Sequence, residues 1–243
     1  MHLRNALAVV ATAWTAYLGP AAPPAFAADP IPLSITGEKR YSMELPRGLC
    51  HIDPNGHAAD KKYFEHFSEE LQPENRLLAA FGDCPSVELM RRRFDEKGEQ
   101  EDLKRWTQVM VPLLGKSAPQ PVPRGMSRDE LLELLVRVAG SDPSVDVSLA
   151  VRQLTAAPAD QDPDPKNIGM LARDKTAFFT GLLSRSREGG KTRLIGGVQA
   201  MTMVGEYAMA VNDFRAFAGR DSLDAGVADT REIVKGLIGR NGK

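Results

Sequence analysis

Cysteine is scarce in this chain, histidine nearly so, and neither sign of charge predominates. The two cysteines, Cys50 and Cys84, do not form a Cys-x-x-Cys pair, the arrangement that stabilises a thiolate for redox work. Three histidines, His51, His57 and His66, lie downstream of the N-terminal leader, but their spacing is neither i, i+4 nor that of a tight strand pair. A zinc site would want one of those geometries plus further ligands. His66 and Glu70 could share one helix face, where a solvated surface pair is the plainer reading. Lys and Arg number 31 against 32 Asp and Glu. A chain so near neutrality has no global field to draw nucleic acid or anionic lipid. No stretch beyond the leader approaches the ~20 consecutive apolar residues that a transmembrane helix needs. Gly-x-Ser-x-Gly, Ser-x-x-Lys, His-Glu-x-x-His and phosphate-loop motifs are all missing, so no catalytic residue, cofactor or metal ligand is assigned. A missing motif does not exclude catalysis, because triads are defined by geometry rather than spacing.

What is present begins with a leader. Arg4, an apolar run from Ala6 to Leu18 and the small-x-small sequence Ala25-Phe26-Ala27 follow the order of a secretory signal peptide, with cleavage expected after about Ala27. No cysteine follows that point closely, so a lipoprotein anchor is not indicated, and the mature chain is expected to be periplasmic or secreted. An even cysteine count in an oxidising compartment favours a Cys50–Cys84 disulfide. Closing such a loop is worth roughly 3–4 kcal/mol in the chain-entropy account.

The chain is organised around the stretch from Arg193 to Phe217, which is strand-forming or small in most positions. Gly205-Glu206 folds it back as a hairpin, since glycine at the first central position of a type II′ turn supplies the positive φ. A third strand is expected from Ile168 to Arg185, joined through Glu188-Gly189-Gly190-Lys191 to make a meander. Residues 28–40 read as a flexible lead-in and 41–243 as a single domain. Tyr41–Ile52 is an edge strand broken at Pro46 and Gly48, Asn75–Gly82 a short buried strand, and Trp106–Leu114 another. Tyr63, Phe64, Phe67 and Leu71 mark the core face of a helix that Pro73 ends. Pro85 opens a second helix. Ser127 and Glu130 form a capping box, followed by a stripe of Leu131, Leu134, Leu135 and Val138 and a stop at Gly140. Val145–Ala156 is assigned to helix. Asp221 is expected to cap a last helix that buries Leu223, Val227, Val234, Leu237 and Ile238 and ends at Gly239. The fold class is therefore α+β: a twisted antiparallel sheet flanked by helices, with a C-terminal helix.

Several local compositions invite a functional reading. Asp160, Asp162 and Asp164 alternate as in a calcium loop, but Pro165 replaces the turn glycine and Leu171 the bidentate Glu, which leaves a solvated acidic loop. Arg91-Arg92-Arg93 could meet phosphate, yet the acidic residues that follow cancel the field and leave a solvated helix face. Gly196-Gly197 beside Met201, Met203 and Met209 is the most unusual composition. Paired glycine marks a bulge or close packing, and the three methionines form a candidate partner surface, since thioethers adapt to varied contacts.

The entry strand Met43-Glu44-Leu45-Pro46-Arg47-Gly48-Leu49-Cys50 and the Asn75-to-Leu78 strand before a second cysteine carry a resemblance. In this order of elements the chain resembles the PsbP-like and DcrB-like α/β sandwiches and uncharacterised exported bacterial proteins. The resemblance implies a non-enzymatic accessory or binding module and carries over no functional residue. The chain is accordingly expected to be an accessory or binding protein of the cell envelope that meets an envelope protein partner, with the methionine face and the Pro-rich connector 117–125 as its contact surfaces. The alternative is a small envelope enzyme using His51 or His57 as acid or base.

Overall fold

The computed structural model describes residues 29–37, 39–98, 103–139, 146–158, 163–188 and 191–242. The leader, Asp160, Asp162, Gly140 and Gly189-Gly190 lie outside these. The central hairpin pairs β8 (Lys191–Val204) with β9 (Tyr207–Ala216) around Gly205-Glu206, and Gly205 takes φ +57° as the turn requires. The expected single third strand is two: β6 (Lys166–Arg173) and β7 (Phe178–Glu188). Asp174 makes the turn between them, its carboxylate accepting from the Thr176 and Ala177 N–H groups while its own N–H donates to the Ala177 carbonyl. An aspartate that mimics a backbone turn in this way ends a strand even inside a strand-forming run.

With β3 (Leu49–His51), β4 (Asn75–Asp83) and β5 (Arg105–Pro112), these strands form a seven-stranded sheet in the order β3-β4-β5-β9-β8-β7-β6, antiparallel throughout. The expected lead-in is not flexible along its whole length. Its Ile31–Ser34 forms β1, with Leu33 fully buried, and pairs with β2 (Arg40–Met43) as a separate two-stranded ribbon. The edge strand expected over Tyr41–Ile52 with a break at Pro46 and Gly48 is β2 and β3, the break running from Glu44 to Gly48, where Gly48 takes φ +74°.

Alternation along β4 sorts the two faces. Ala79 and Phe81 join a core formed with β1, β2 and α5 (Arg220–Asn241), whereas Ala80 joins a second core under α1 (Ala58–Leu71) and α2 (Cys84–Lys97). The α5 face also carries α4 (Val147–Ala156), which buries Ala150 and Leu154 against Leu183 of β7. The other face carries α3 (Arg128–Ala139) over β8 and β7. The Cys50–Cys84 disulfide is formed, joining the end of β3 to the start of α2 so that α1 loops out between two paired strands.

Helix ends follow the sequence signals in part. Ser127 and Glu130 make the full capping box, with the Glu130 carboxylate accepting from the Ser127 N–H and the Ser127 hydroxyl accepting from the Glu130 N–H. Asp221 is not the cap of α5, because Gly219 occupies that place and no side chain caps there. Gly239 does not stop α5 either. The Asn241 amide donates to the Leu237 and Ser42 carbonyls and accepts from the Ser42 N–H, so pairing with β2 carries the helix past the glycine. Gly226 brings α5 close to the sheet, since a Cβ there would lie 2.7 Å from Val198 Cγ2.

Two ion-pair clusters tie the elements together. Arg91, expected on a solvated face, instead grips the fully buried Asp60 through Nε and Nη2 at 2.8 and 2.6 Å and donates to the His51 carbonyl, tying α1, α2 and β3 together. Under α5, the fully buried Asp213 accepts from Arg105, Arg215 and Thr107, and both arginines reach Asp229 of α5. Removing Asp213 would leave the two partly buried arginines with Asp229 as their one remaining carboxylate in this cluster, an excess of buried positive charge. Asp213→Ala is expected to lower the unfolding free energy by about 3–5 kcal/mol, read from urea midpoints.

Asp174 supplies a pH dependence. Burial alone would raise its carboxyl, but hydrogen bonds from Thr176, Arg231 and Ala177 outweigh that and hold it at about 2. A folded value below the ordinary 3.8 means that the stabilisation is complete above 3.8 and is lost as pH falls through about 2. The stability difference between the protein and Asp174→Asn is therefore expected to be constant near neutrality and to shrink across that acid window, as followed by urea titrations at stepped pH.

Candidate binding groove

The face opposite α5 is only partly covered, and its exposed middle has a composition set by register. Three rows of side chains cross the strands there. The first reads Trp106, Phe214, Gly197, Leu182 across β5, β9, β8 and β7. The second reads Gln108, Asn212, Gln199, Thr180, and the third Met110, Ala210, Met201, Phe178. Residues two apart on a strand share a face, so a polar row lies between an aromatic row and a methionine-containing one.

Helices bound this surface on two sides. Towards β4, Phe67 of α1 stacks on Trp106 at 6.5 Å and 13°, and Trp106 stacks on Phe214 at 5.1 Å and 18°. The Phe214 ring leans over Gly197, where a Cβ would lie 2.9 Å from Cε1. Beyond β8, α3 is anchored by Arg128 Nε donating to the Met203 carbonyl at 3.0 Å. Its buried residues are Leu131 and Leu132, and the expected stripe is corrected at Leu134 and Val138, which are 39% and 56% exposed. Four leucines in five positions leave the phase of such a helix open until it packs. Leu135 and Val138 instead overlook the sheet and close a groove of about 380 Å³.

The groove's floor is the polar row. Asn212, Gln199 and Thr180 line it among Phe178, Leu182, Met201 and Phe214, and among the described residues no lining side chain is charged. Asn212 is 7% exposed, and its Oδ1 has no hydrogen-bond partner. A buried acceptor left in that state costs about 1–3 kcal/mol.

The sequence-assigned residues are distributed differently from expectation. Met201 and Met203 are half-buried on the groove face, but Met209 pairs with Thr202, points to the opposite face and is fully buried beneath α5. Met209 is therefore corrected from partner surface to core, because neighbouring pairs in a ladder alternate between faces. Gly196-Gly197 makes no bulge. Gly196 lies beneath Leu223 and Phe217 on the α5 side and Gly197 beneath Phe214 on the groove side.

The histidines stand away from the groove. His51 is half-buried against Phe81, and burial holds its imidazole below the ordinary value despite Asp53 and Asp60. His57 caps α1, its Nδ1 accepting from the Ala59 N–H at 3.1 Å while Nε2 lies 3.2 Å from Asp95, so both ring nitrogens are engaged. His66 makes the exposed pair with Glu70 at 3.3 Å.

Asn212, Gln199, Gln108 and Thr180 were not singled out from sequence. Each is one polar residue among several in its strand, and the four become a row only when the strands are aligned. No family model matches the chain, nor does any curated protein.

The two methionine environments predict unequal costs. Met209→Ala is expected to lower stability by about 2–5 kcal/mol as a buried deletion, and Met201→Ala by under about 1 kcal/mol as a half-buried one. Urea denaturation of the two variants checks the difference.

Proposed function

We propose that this chain is an exported accessory protein of the bacterial cell envelope that works by binding, with the groove over β7, β8 and β9 as its binding site. The observation that carries this reading is the unpartnered Oδ1 of the buried Asn212 on the floor of a groove whose other polar lining side chains, Gln199, Thr180 and Asn167, are uncharged. Small-molecule sites combine volumes of about 300–1,000 Å³, mainly apolar walls and a few placed polar groups, and a volume of about 380 Å³ with one short polar row fits that description.

Export is supported by the signal-like leader and by the disulfide, since disulfides persist in oxidising compartments. Among the described residues no helix is long and apolar enough to cross a membrane. The resemblance to PsbP-like and DcrB-like sandwiches points the same way, towards an accessory role. An envelope protein that presents or receives the ligand would meet the chain near Met203 and the connector 117–125, which is tied to the hairpin tip by the Val122 N–H donating to the Glu206 carbonyl at 2.8 Å.

A photo-crosslinking residue placed at Val138, at the groove mouth, and at Leu149, exposed on α4 across the sheet, tests the site in cells. A small-molecule adduct at Val138 and none at Leu149, read by mass spectrometry of the intact protein, is the expected result. Equal labelling at both positions, or none at either, would overturn the groove as the working surface. A protein-sized adduct specific to Val138 would replace the small ligand with a polypeptide segment.

A further inference from the structure

Resting on the groove as the binding site, we infer that its ligand is an uncharged, ring-bearing molecule that presents an N–H or O–H to Asn212. Three features of the groove specify this class.

The first is charge. A ligand charge placed among Phe178, Leu182, Met201 and Phe214 would lose its hydration without meeting an opposite charge, and that loss is severe in an apolar site. The groove therefore selects against anions and cations alike.

The second is the shape of the aromatic row. Phe67, Trp106 and Phe214 are stacked in sequence, each neighbouring pair within 18° of parallel, and the Phe214 ring, which lies over Gly197, ends the row and lines the groove. A flat ring seated there extends the row by offset stacking on Phe214, with Phe178 and the Met201 thioether on its other flank.

The third is the hydrogen-bonding balance of the floor. Oδ1 of Asn212 is an acceptor with no donor, so the group that completes it must carry a hydrogen. The Gln199 amide beside it can donate as well as accept, so a ligand amide or phenol would meet complementary partners within one row. A saturated hydrocarbon chain would fill the groove but leave Asn212 unsatisfied.

Three probes that share one skeleton separate these requirements in titrations of the purified, disulfide-bonded chain. N-phenylnaphthylamine is uncharged, has two ring systems and carries one N–H. Its N-methyl derivative lacks the hydrogen, and anilinonaphthalene sulfonate adds a negative charge. The expected result is saturable fluorescence enhancement with the parent amine, with the N-methyl derivative and the sulfonate each about tenfold or more weaker.

Asn212→Leu is expected to abolish the preference for the parent over the N-methyl derivative while retaining binding of both. Equal affinities for the parent and N-methyl probes in the unaltered chain would overturn the role of Asn212 without recourse to any variant. A sulfonate affinity equal to the parent's would overturn the selection for an uncharged ligand. If no probe binds while Val138 still yields its small-molecule adduct, this ligand class is wrong and the groove stands. If neither probe nor adduct is found, both fall.

Discussion

The pairing of β8 with β9 is the constraint on which the rest of this structure depends. The ladder runs without a slip from Ile195↔Ala216 to Val204↔Tyr207, closed by Gly205 at the one conformation that a two-residue turn of this hand demands. A one-residue slip would exchange the faces of a strand. A slip of β8 would take Val198 and Ala200 out of the core under α5 and bring Gln199 in, and a slip of β9 would do the same with Met209 and Val211 against Asn212. The register that makes the core is thus the same register that aligns the polar row on the opposite face. Stability of the hairpin and construction of the groove are one physical fact seen from two sides of a sheet.

The helices complete this arrangement with unequal commitments. α5 is held by burial along its length, by the close approach at Gly226 and by the Arg105, Arg215, Asp213 and Asp229 cluster, in which two cations and two carboxylates balance beneath a helix. For Arg215, burial lowers the proton affinity, but the Asp213 and Asp229 carboxylates more than restore it, so its guanidinium stays charged. On the far face, α1 and α2 are fastened by the disulfide and by Arg91 on Asp60, while α3 touches β8 and β7 with two buried leucines and leaves its last turns over the groove. Rigid cover at one end and light cover at the other leave a sheet surface partly open, which is where binding sites form.

Legibility followed the range of the interaction. The hairpin turn, the capping box and the core face of α1 depend on residues within a few positions of one another, and the sequence disclosed all three. The compartment argument anticipated the disulfide, which needs only the even cysteine count and a paired strand on either side. The β6–β7 turn was missed although its signal was local, because Asp174 sits in a strand-forming run and its turn-making hydrogen bonds compete with simple propensity. β1 was read as lead-in because a four-residue strand has too short a period to register. The C-terminal end of α5 and the pairing of Arg91 were illegible for another reason: their partners, Ser42 and Asp60, lie far away in the chain.

By itself the sequence determined the element types around the central hairpin, the α+β class and the cysteine pair, since each rests on side-chain periodicity, turn chemistry or composition. Tertiary structure alone decided which methionines face outward, how α3 is rotated, and that Gln108, Asn212, Gln199 and Thr180 on four strands stand in line. Periodicity along one strand says that neighbours point to opposite faces, but it does not say which face a helix will cover. That choice is made when strands distant in sequence align and α4 and α5 cover one face, and the groove is what the other face retains.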